Sequence, residues 1–226
     1  MADPGPAGDA GDAANADAAA DDANADAALI LYVRIRALQA ASPAPLLVAL
    51  DGRSGVGKST VARGVAAEIG AGALVIDGDD FYCGGDDAYW DALAPTEKVD
   101  LVIDWRRQRT LLECLRREEP VTWRPYDWDA DDGRLAAEVT AGPAGVVILD
   151  GAYSARPELA DLFSLRGLLD APRHIRRARL LQREGAHYLA EWEARWGEAE
   201  DLYFGQLMPP SAFDLVLDGS GNGAWS

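Results

Sequence analysis

The sequence predicts an α/β fold: a mostly parallel, five-stranded sheet with helices on both faces and a helical lid. Three observations lead there. Largely apolar runs of strand length recur at 46–50, 73–76, 145–149, 165–169 and 213–217. Such runs suit strands covered on both faces. Segments with helical spacing lie between them, the pattern of parallel strands joined by crossover helices. Two of the runs close on an acidic tip, at Asp77 and Asp150.

Taken in order, Leu29 to Ala40 predicts a short leading helix, and Pro45 precedes the first strand at Leu46–Leu50. A glycine-rich loop follows, then helical spacing over Ser59 to Ile69 with stop signals at Gly70 and Gly72. Ala73–Ile76 is the second strand and closes on Asp77-Gly78-Asp79-Asp80. A long polar stretch runs from Phe81 to about Val102. Trp105 to Glu118 predicts an amphipathic helix, with Leu111, Leu112 and Leu115 on one side. Val121–Arg124 and Leu135–Val139 predict a small strand pair around Pro125-Tyr126-Asp127-Trp128. Gly145–Leu149, Leu165–Leu169 and Phe213–Leu217 complete the sheet. Pro172 to Arg183 predicts a strongly basic helix, and His187 to Tyr203 an aromatic-rich one; the lid is expected over about 173–205.

The chain has 226 residues and a formal net charge of -17. Residues 1–28 hold seven Asp and no base, leaving 31 acids against 21 bases on the rest. That segment is almost entirely Ala, Asp, Gly and Asn, and offers too little apolar surface to offset the entropy of ordering. It is expected to be a disordered acidic tail before one globular domain over 29–226. It has neither the basic start nor the apolar run of a secretory leader. The acidic balance argues against a nucleic-acid partner, and the apolar runs are too short to span a membrane. Two cysteines, Cys83 and Cys114, fit a reduced, cytoplasmic protein without a zinc site. Nothing in the composition speaks against a homo-oligomer.

The glycine-rich loop is Gly52-Arg53-Ser54-Gly55-Val56-Gly57-Lys58-Ser59, followed by Thr60. Its Gly-x-x-x-x-Gly-Lys-Ser spacing is that of a phosphate-binding loop, and it stands between a predicted strand and a predicted helix, the context the motif requires. Glycines let successive N–H groups aim at phosphate oxygens, and the following helix adds its positive end. Lys58 is one of only two lysines beside 19 arginines. It is expected to reach the β- and γ-phosphates of ATP, and Ser59 to ligate Mg²⁺ with Asp150 at its strand tip.

A loop of this kind serves kinases, switches and motors alike. Neither lysine follows an Asn, so the Asn-Lys-x-Asp segment of guanine-nucleotide switches is absent. A carboxylate cluster on strand two, beside the loop, fits a small-molecule kinase, in which a base must accept the proton of a hydroxyl acceptor. Asp79 is the candidate base, with Asp77 and Asp80 as competitors. The basic helix carries Arg173, Arg176, Arg177, Arg179 and Arg183; Arg176, Arg179 and Arg183 share one face. They are expected to neutralise the transferring phosphoryl group from a lid hinged near Gly185, Arg179 and Arg183 in catalysis and Arg176 in substrate binding. The bland alternative is a solvated face paired with acids such as Glu184.

From about 46 to 218 the order of motifs resembles the uridine kinase family of P-loop nucleoside kinases. Asp79-Asp80-Phe81-Tyr82 is similar to that family's Asp-Ser-Phe-Tyr, whose Asp is the base. Tyr126-Asp127-Trp128 resembles its Tyr-Asp-Phe or Tyr-Asp-Trp segment, whose Tyr contacts the nucleoside. Asp150-Gly151-Ala152-Tyr153 looks like its Glu-Gly-x-Tyr with Asp for Glu, and Arg179-x-x-x-Arg183-Glu184 like its lid pattern. The resemblance implies a P-loop kinase fold and Mg²⁺-dependent transfer from ATP to uridine or cytidine, with Phe81, Tyr82, Tyr126 and Trp128 at the substrate. This chain departs from the pattern in three places: Asp at 150, the acidic insert Gly84–Asp87, and no counterpart of the His after the Tyr-Asp segment. His174 and His187 read as surface or packing residues. Ile76–Asp80 also resembles segments of adenylylsulfate and gluconate kinases, which keeps a sugar acid, nucleotide or natural product open as acceptor. A nucleotide-binding regulator without turnover is the remaining alternative.

Seven tryptophans are many for this length. Trp90, Trp105, Trp123 and Trp128 fall between strands two and three, where acceptors bind in such kinases. Trp192 and Trp196 stand at i, i+4 on a helix, a spacing that suits packing.

Overall fold

The computed structural model describes residues 9–41 and 45–220, with side chains from Asp22 onward. Its centre is a five-stranded sheet of β1 (Leu46–Asp51), β2 (Ala73–Asp77), β5 (Val146–Asp150), β6 (Leu165–Asp170) and β7 (Leu215–Asp218) in the order β2-β5-β1-β6-β7. All four pairings are parallel. The expected fold is therefore present, with seven α-helices around the sheet among the described residues.

Strand β1 shows why the runs lack alternation. Leu46, Val48 and Leu50 enter one core with α1 (Asp9–Ala41) and α2 (Lys58–Ile69); Leu47 and Ala49 enter the other. The second core holds side chains of α4 (Pro95–Leu101), α5 (Trp105–Arg116) and α7 (Ala186–Leu202). Helix α6 (Arg173–Glu184) precedes α7, and Gly185 between them has φ of 88°, a left-handed conformation suited to glycine.

Three expectations change. The leading helix is 33 residues long and starts at Asp9, within the stretch expected to be disordered. The reason is visible from Ala23: Ala23, Ala27, Leu31 and Ile35 repeat every fourth residue and are all buried, and the helix packs along α2 and β7. Alanine supplies the contact surface that the composition argument discounted. The rest of the expected tail, residues 1–8, lies outside the described residues.

The polar stretch after Phe81 folds into α3 (Asp87–Ala92) and α4, each started by local chemistry. Asp86 accepts from Tyr89 N at 2.8 Å, and Glu97 reaches back to Ala94 N at 2.9 Å. Lys98, the second lysine, is buried and donates to the carbonyl of Arg195 at 2.7 Å, tying α4 to α7. The small pair forms between β3 (Val121–Trp123) and β4 (Val139–Ala141), so its second strand starts later than the sequence predicts. Leu135 makes only an isolated bridge to Tyr126.

Candidate functional site

The strands end together at one edge of the sheet, and the parallel register sets their tips side by side. Asp150 pairs with Asp77 across β5 and β2, and with Leu50 across β5 and β1. The loop from Gly52 to Gly57 leaves β1 at this edge and enters α2. Gly55 and Gly57 have φ of 77° and 106°, which few other residues adopt. A Cβ on Gly57 would also lie 2.5 Å from Asn24 Oδ1 of α1. No side chain caps α2, so its first N–H groups remain for an anion. Lys58 Nζ bonds back to the carbonyls of Gly52 (2.8 Å) and Arg53 (3.3 Å).

Five aspartates stand at the ends of β1, β2 and β5 beside the loop, and their partners separate them. Asp51 is wholly buried and accepts from Gly52 N (2.8 Å), Tyr153 N (3.0 Å), Ala155 N (2.9 Å) and the Tyr203 hydroxyl (2.8 Å). Burial pushes its carboxyl up to about 6, and these donors keep it from rising further. Asp77 accepts from Asp79 N at 2.9 Å and caps the short turn Gly78–Phe81. Asp80 accepts from Trp123 Nε1 at 2.7 Å. The Asp79 carboxylate has no hydrogen bond or ion pair among the described residues. It is open to solvent through the cleft mouth but walled by protein, and desolvation there, with repulsion from Asp77, pushes it up to about 6.

Asp150 is the fifth. It is buried, and burial raises its pKa against the pull of Lys58 and a hydrogen bond with Ser59. Its Oδ1 has no partner. A buried acceptor without a donor, beside a Ser hydroxyl at a phosphate loop, suits a divalent cation. Among the described residues no three His, Cys, Asp or Glu side chains converge as a metal cage.

Glycines let the segments that carry Asp79 and Asp150 approach closely. A Cβ on Gly78 would lie 3.0 Å from the Asp150 carbonyl, and one on Gly151 would lie 3.1 Å from Gly78 Cα. Beyond them a cleft of about 430 Å³ opens, lined by Ser54, Asp79, Tyr82, Trp128, Arg183 and Glu200 among others. The Tyr82 ring stacks on Trp128 (5.0 Å between centroids, 21° between planes) and on Trp90 (5.8 Å, 29°). Trp128 is 54% exposed, so its outer face is free to meet a ligand.

Of the residues singled out in the sequence, Ser54, Asp79, Tyr82, Trp128 and Arg183 line this cleft, with Lys58, Ser59 and Asp150 at the loop end. Four that were expected at the acceptor or the phosphoryl group do not line it. Phe81 is buried in the core with Arg107 over its ring, because the turn at Gly78–Phe81 points it inward. Tyr126 is buried behind Tyr82 and Trp128, its hydroxyl donating to Asp131 at 2.8 Å. Arg179 clamps the carbonyls of Val56 (2.7 Å) and Gly219 (2.8 Å), bracing the phosphate loop. Arg176 donates to the Ala171 carbonyl (3.1 Å) and lies 3.9 Å from Glu200. Arg183 is exposed and pairs with Glu184 at 2.5 Å. Trp196 packs on Trp90, its centroid 5.0 Å away, as its spacing suggested. Sequence reasoning passed over Asp51 and Glu200. The tip of β1 was a signal for Asp51; Glu200 lies 146 positions from the loop residue it touches.

No family model matches the chain. It is 30% identical over 143 residues to the uridine kinase of Deinococcus deserti, an alignment covering 62% of this chain and 69% of that protein. The chain belongs to the uridine kinase-like family of P-loop kinases. Solved structures agree with the kinase fold. A possible uridine kinase from Bacillus stearothermophilus superposes with a TM-score of 0.68 at 21% identity, covering 85% of this kinase and 98% of that chain. A provisionally named fructose transport system kinase from Silicibacter sp. TM1040 gives 0.65 at 26% identity, covering 84% and 97%. Among the described residues of the kinase no helix is long and apolar enough to cross a membrane.

Proposed function

We propose that this kinase transfers the γ-phosphate of ATP to a hydroxyl of a nucleoside such as uridine or cytidine. The observation that carries the reading is Asp79: among the five aspartates at the strand ends beside the loop it is the one whose carboxylate is both unpartnered among the described residues and open to the cleft. The loop from Gly52 to Thr60 holds the phosphates through its N–H groups, with Lys58 on the outer ones. Ser59 and Asp150 hold Mg²⁺, which neutralises charge on the phosphates when bound. Asp79 accepts the proton of the acceptor hydroxyl, and a pKa near 6 suits a base at neutral pH. Arg183 faces the same cleft and leaves Glu184 for the phosphoryl oxygens; Arg176 and Arg179 act from behind the loop. The acceptor's planar part rests on Trp128 and Tyr82, with Tyr126 supporting them; Phe81 supports from the core. The unpaired thiols of Cys83 and Cys114 fit a cytoplasmic setting.

A second reading keeps the chemistry and changes the acceptor to a sugar, favoured by the likeness to the fructose transport system kinase. An ADP-release assay over nucleosides, nucleotides, sugars and sugar acids tests both. Uridine or cytidine is expected to raise turnover well above the water background. A sugar or sugar acid doing so instead moves the acceptor, and no stimulation by any acceptor refutes kinase turnover in favour of a nucleotide-binding regulator.

A further inference from the structure

The Ser54 N–H of the phosphate loop is already occupied. It donates to Glu200 Oε1 at 2.8 Å. Glu200 stands near the C-terminal end of α7, and its side chain is only 4% exposed. Its other oxygen lies 4.0 Å from Arg53 Nη1 and 3.9 Å from Arg176 Nη1. Arg53 also bridges to Asp201 at 2.6 Å and lies over the Phe204 ring. One backbone N–H and two guanidinium groups thus surround a buried carboxylate. That donor set is also the one a phosphate oxygen recruits.

Position along the loop says which phosphate. The N–H groups near Gly57 adjoin the positive end of α2. Ser54 lies three residues earlier and shares the cleft with Asp79 and Glu200. This is the acceptor side, where a terminal phosphoryl group must stand to meet a hydroxyl at Asp79. Lys58 is held by loop carbonyls in the same way.

We propose that Glu200 is a positioning residue that stands in for the terminal phosphate. It holds Ser54 N–H, Arg53 and Arg176 in place in the nucleotide-free protein, and yields them to a nucleoside triphosphate. The inference rests on the assignment of the loop under the proposed function. Its consequence is selective: a triphosphate must displace a carboxylate, whereas a diphosphate leaves it in place. Since Glu200 belongs to the lid region, its release also reports the terminal phosphate to α7.

Calorimetric binding of ADP and a non-hydrolysable ATP analogue to the full chain tests this, with wild type and Glu200→Gln side by side. Gln keeps the acceptor for Ser54 and removes the charge. The analogue is expected to bind the variant about fivefold more tightly, with ADP within about twofold of wild type. Equal changes for both nucleotides, or weaker analogue binding, would overturn the role. A second measurement uses wild type alone: the Ser54 amide resonance is expected to shift on adding the analogue and hardly at all with ADP, and equal shifts would also overturn it. If wild type binds neither nucleotide, the kinase reading falls too; if it binds both and the variant keeps the same ratio, only the role of Glu200 is lost.

Discussion

Asp51 and Asp150 end neighbouring strands of one sheet, both buried and both beside the phosphate loop, yet they differ in what surrounds them. Asp51 accepts four hydrogen bonds, from residues 52, 153, 155 and 203. Asp150 keeps an oxygen with no partner. A buried carboxylate supplied with donors is a joint: it fastens the root of the loop to the segment after β5 and to the end of α7. One left short of donors is available for chemistry. Tyr153 shows the strength of the joint, since its φ of 67° is unfavourable for a tyrosine and two bonds to Asp51 flank it, at its own N–H and that of Ala155. Asp79 belongs with Asp150 in this respect, and Asp77 and Asp80 with Asp51.

The contrast breaks most visibly at Asp79. Asp79→Asn is expected to lower kcat by about 10²–10⁴-fold while ATP binding stays near wild type; turnover within a fewfold of wild type would dissolve the distinction between free and partnered acids. In the wild type, kcat/KM is expected to rise with pH through about 6, where the raised Asp79 carboxyl loses its proton, and to fall below it. The limb should vanish from the residual activity of Asp79→Asn. Asp150→Asn is expected to cost less, about 10–100-fold, and mainly as a raised Mg²⁺ requirement that excess metal partly restores. A metal titration identical to wild type would remove Asp150 from that role.

Asp51→Asn sharpens the other side. The amide keeps one acceptor oxygen and sets its NH2 either against the N–H groups of Gly52 and Tyr153 or against the Ala155 N–H and the Tyr203 hydroxyl, so the expected result is a loss of stability of about 3 kcal/mol. Urea unfolding reads it, and a loss below about 0.5 kcal/mol would mean that the joint carries no strain or load. Trp128→Ala is expected to have the smallest effect, a rise in acceptor KM of about five- to tenfold with kcat little changed. An unchanged KM would take the stacked rings out of acceptor binding.

How far the sequence reached follows the same division. The phosphate loop, the sheet and the basic helix were readable because each is local: a spacing, an apolar run, a charge reversal. Asp79, Asp77 and Asp80 were not separable, because they differ only through partners distant in sequence, such as Trp123 on β3. Phe81 was expected at the substrate because its neighbours are, but a tight turn sends adjacent side chains to opposite sides. Arg176 and Arg179 share a helical face with Arg183, yet that face packs against the loop at one end and opens to the cleft at the other. The first helix was underestimated since alanine counts little in composition and much in close helix packing.

Gly78 and Gly151 touch where β2 and β5 end, and nothing but hydrogen stands between them. The proton acceptor and the metal carboxylate are therefore spaced by two missing methyl groups. Adding one methyl, as Gly78→Ala, inserts a shim between two reacting groups while leaving both of them chemically intact. Such a variant would separate the contribution of distance from that of charge, because every ionisable group in the cleft would still be present.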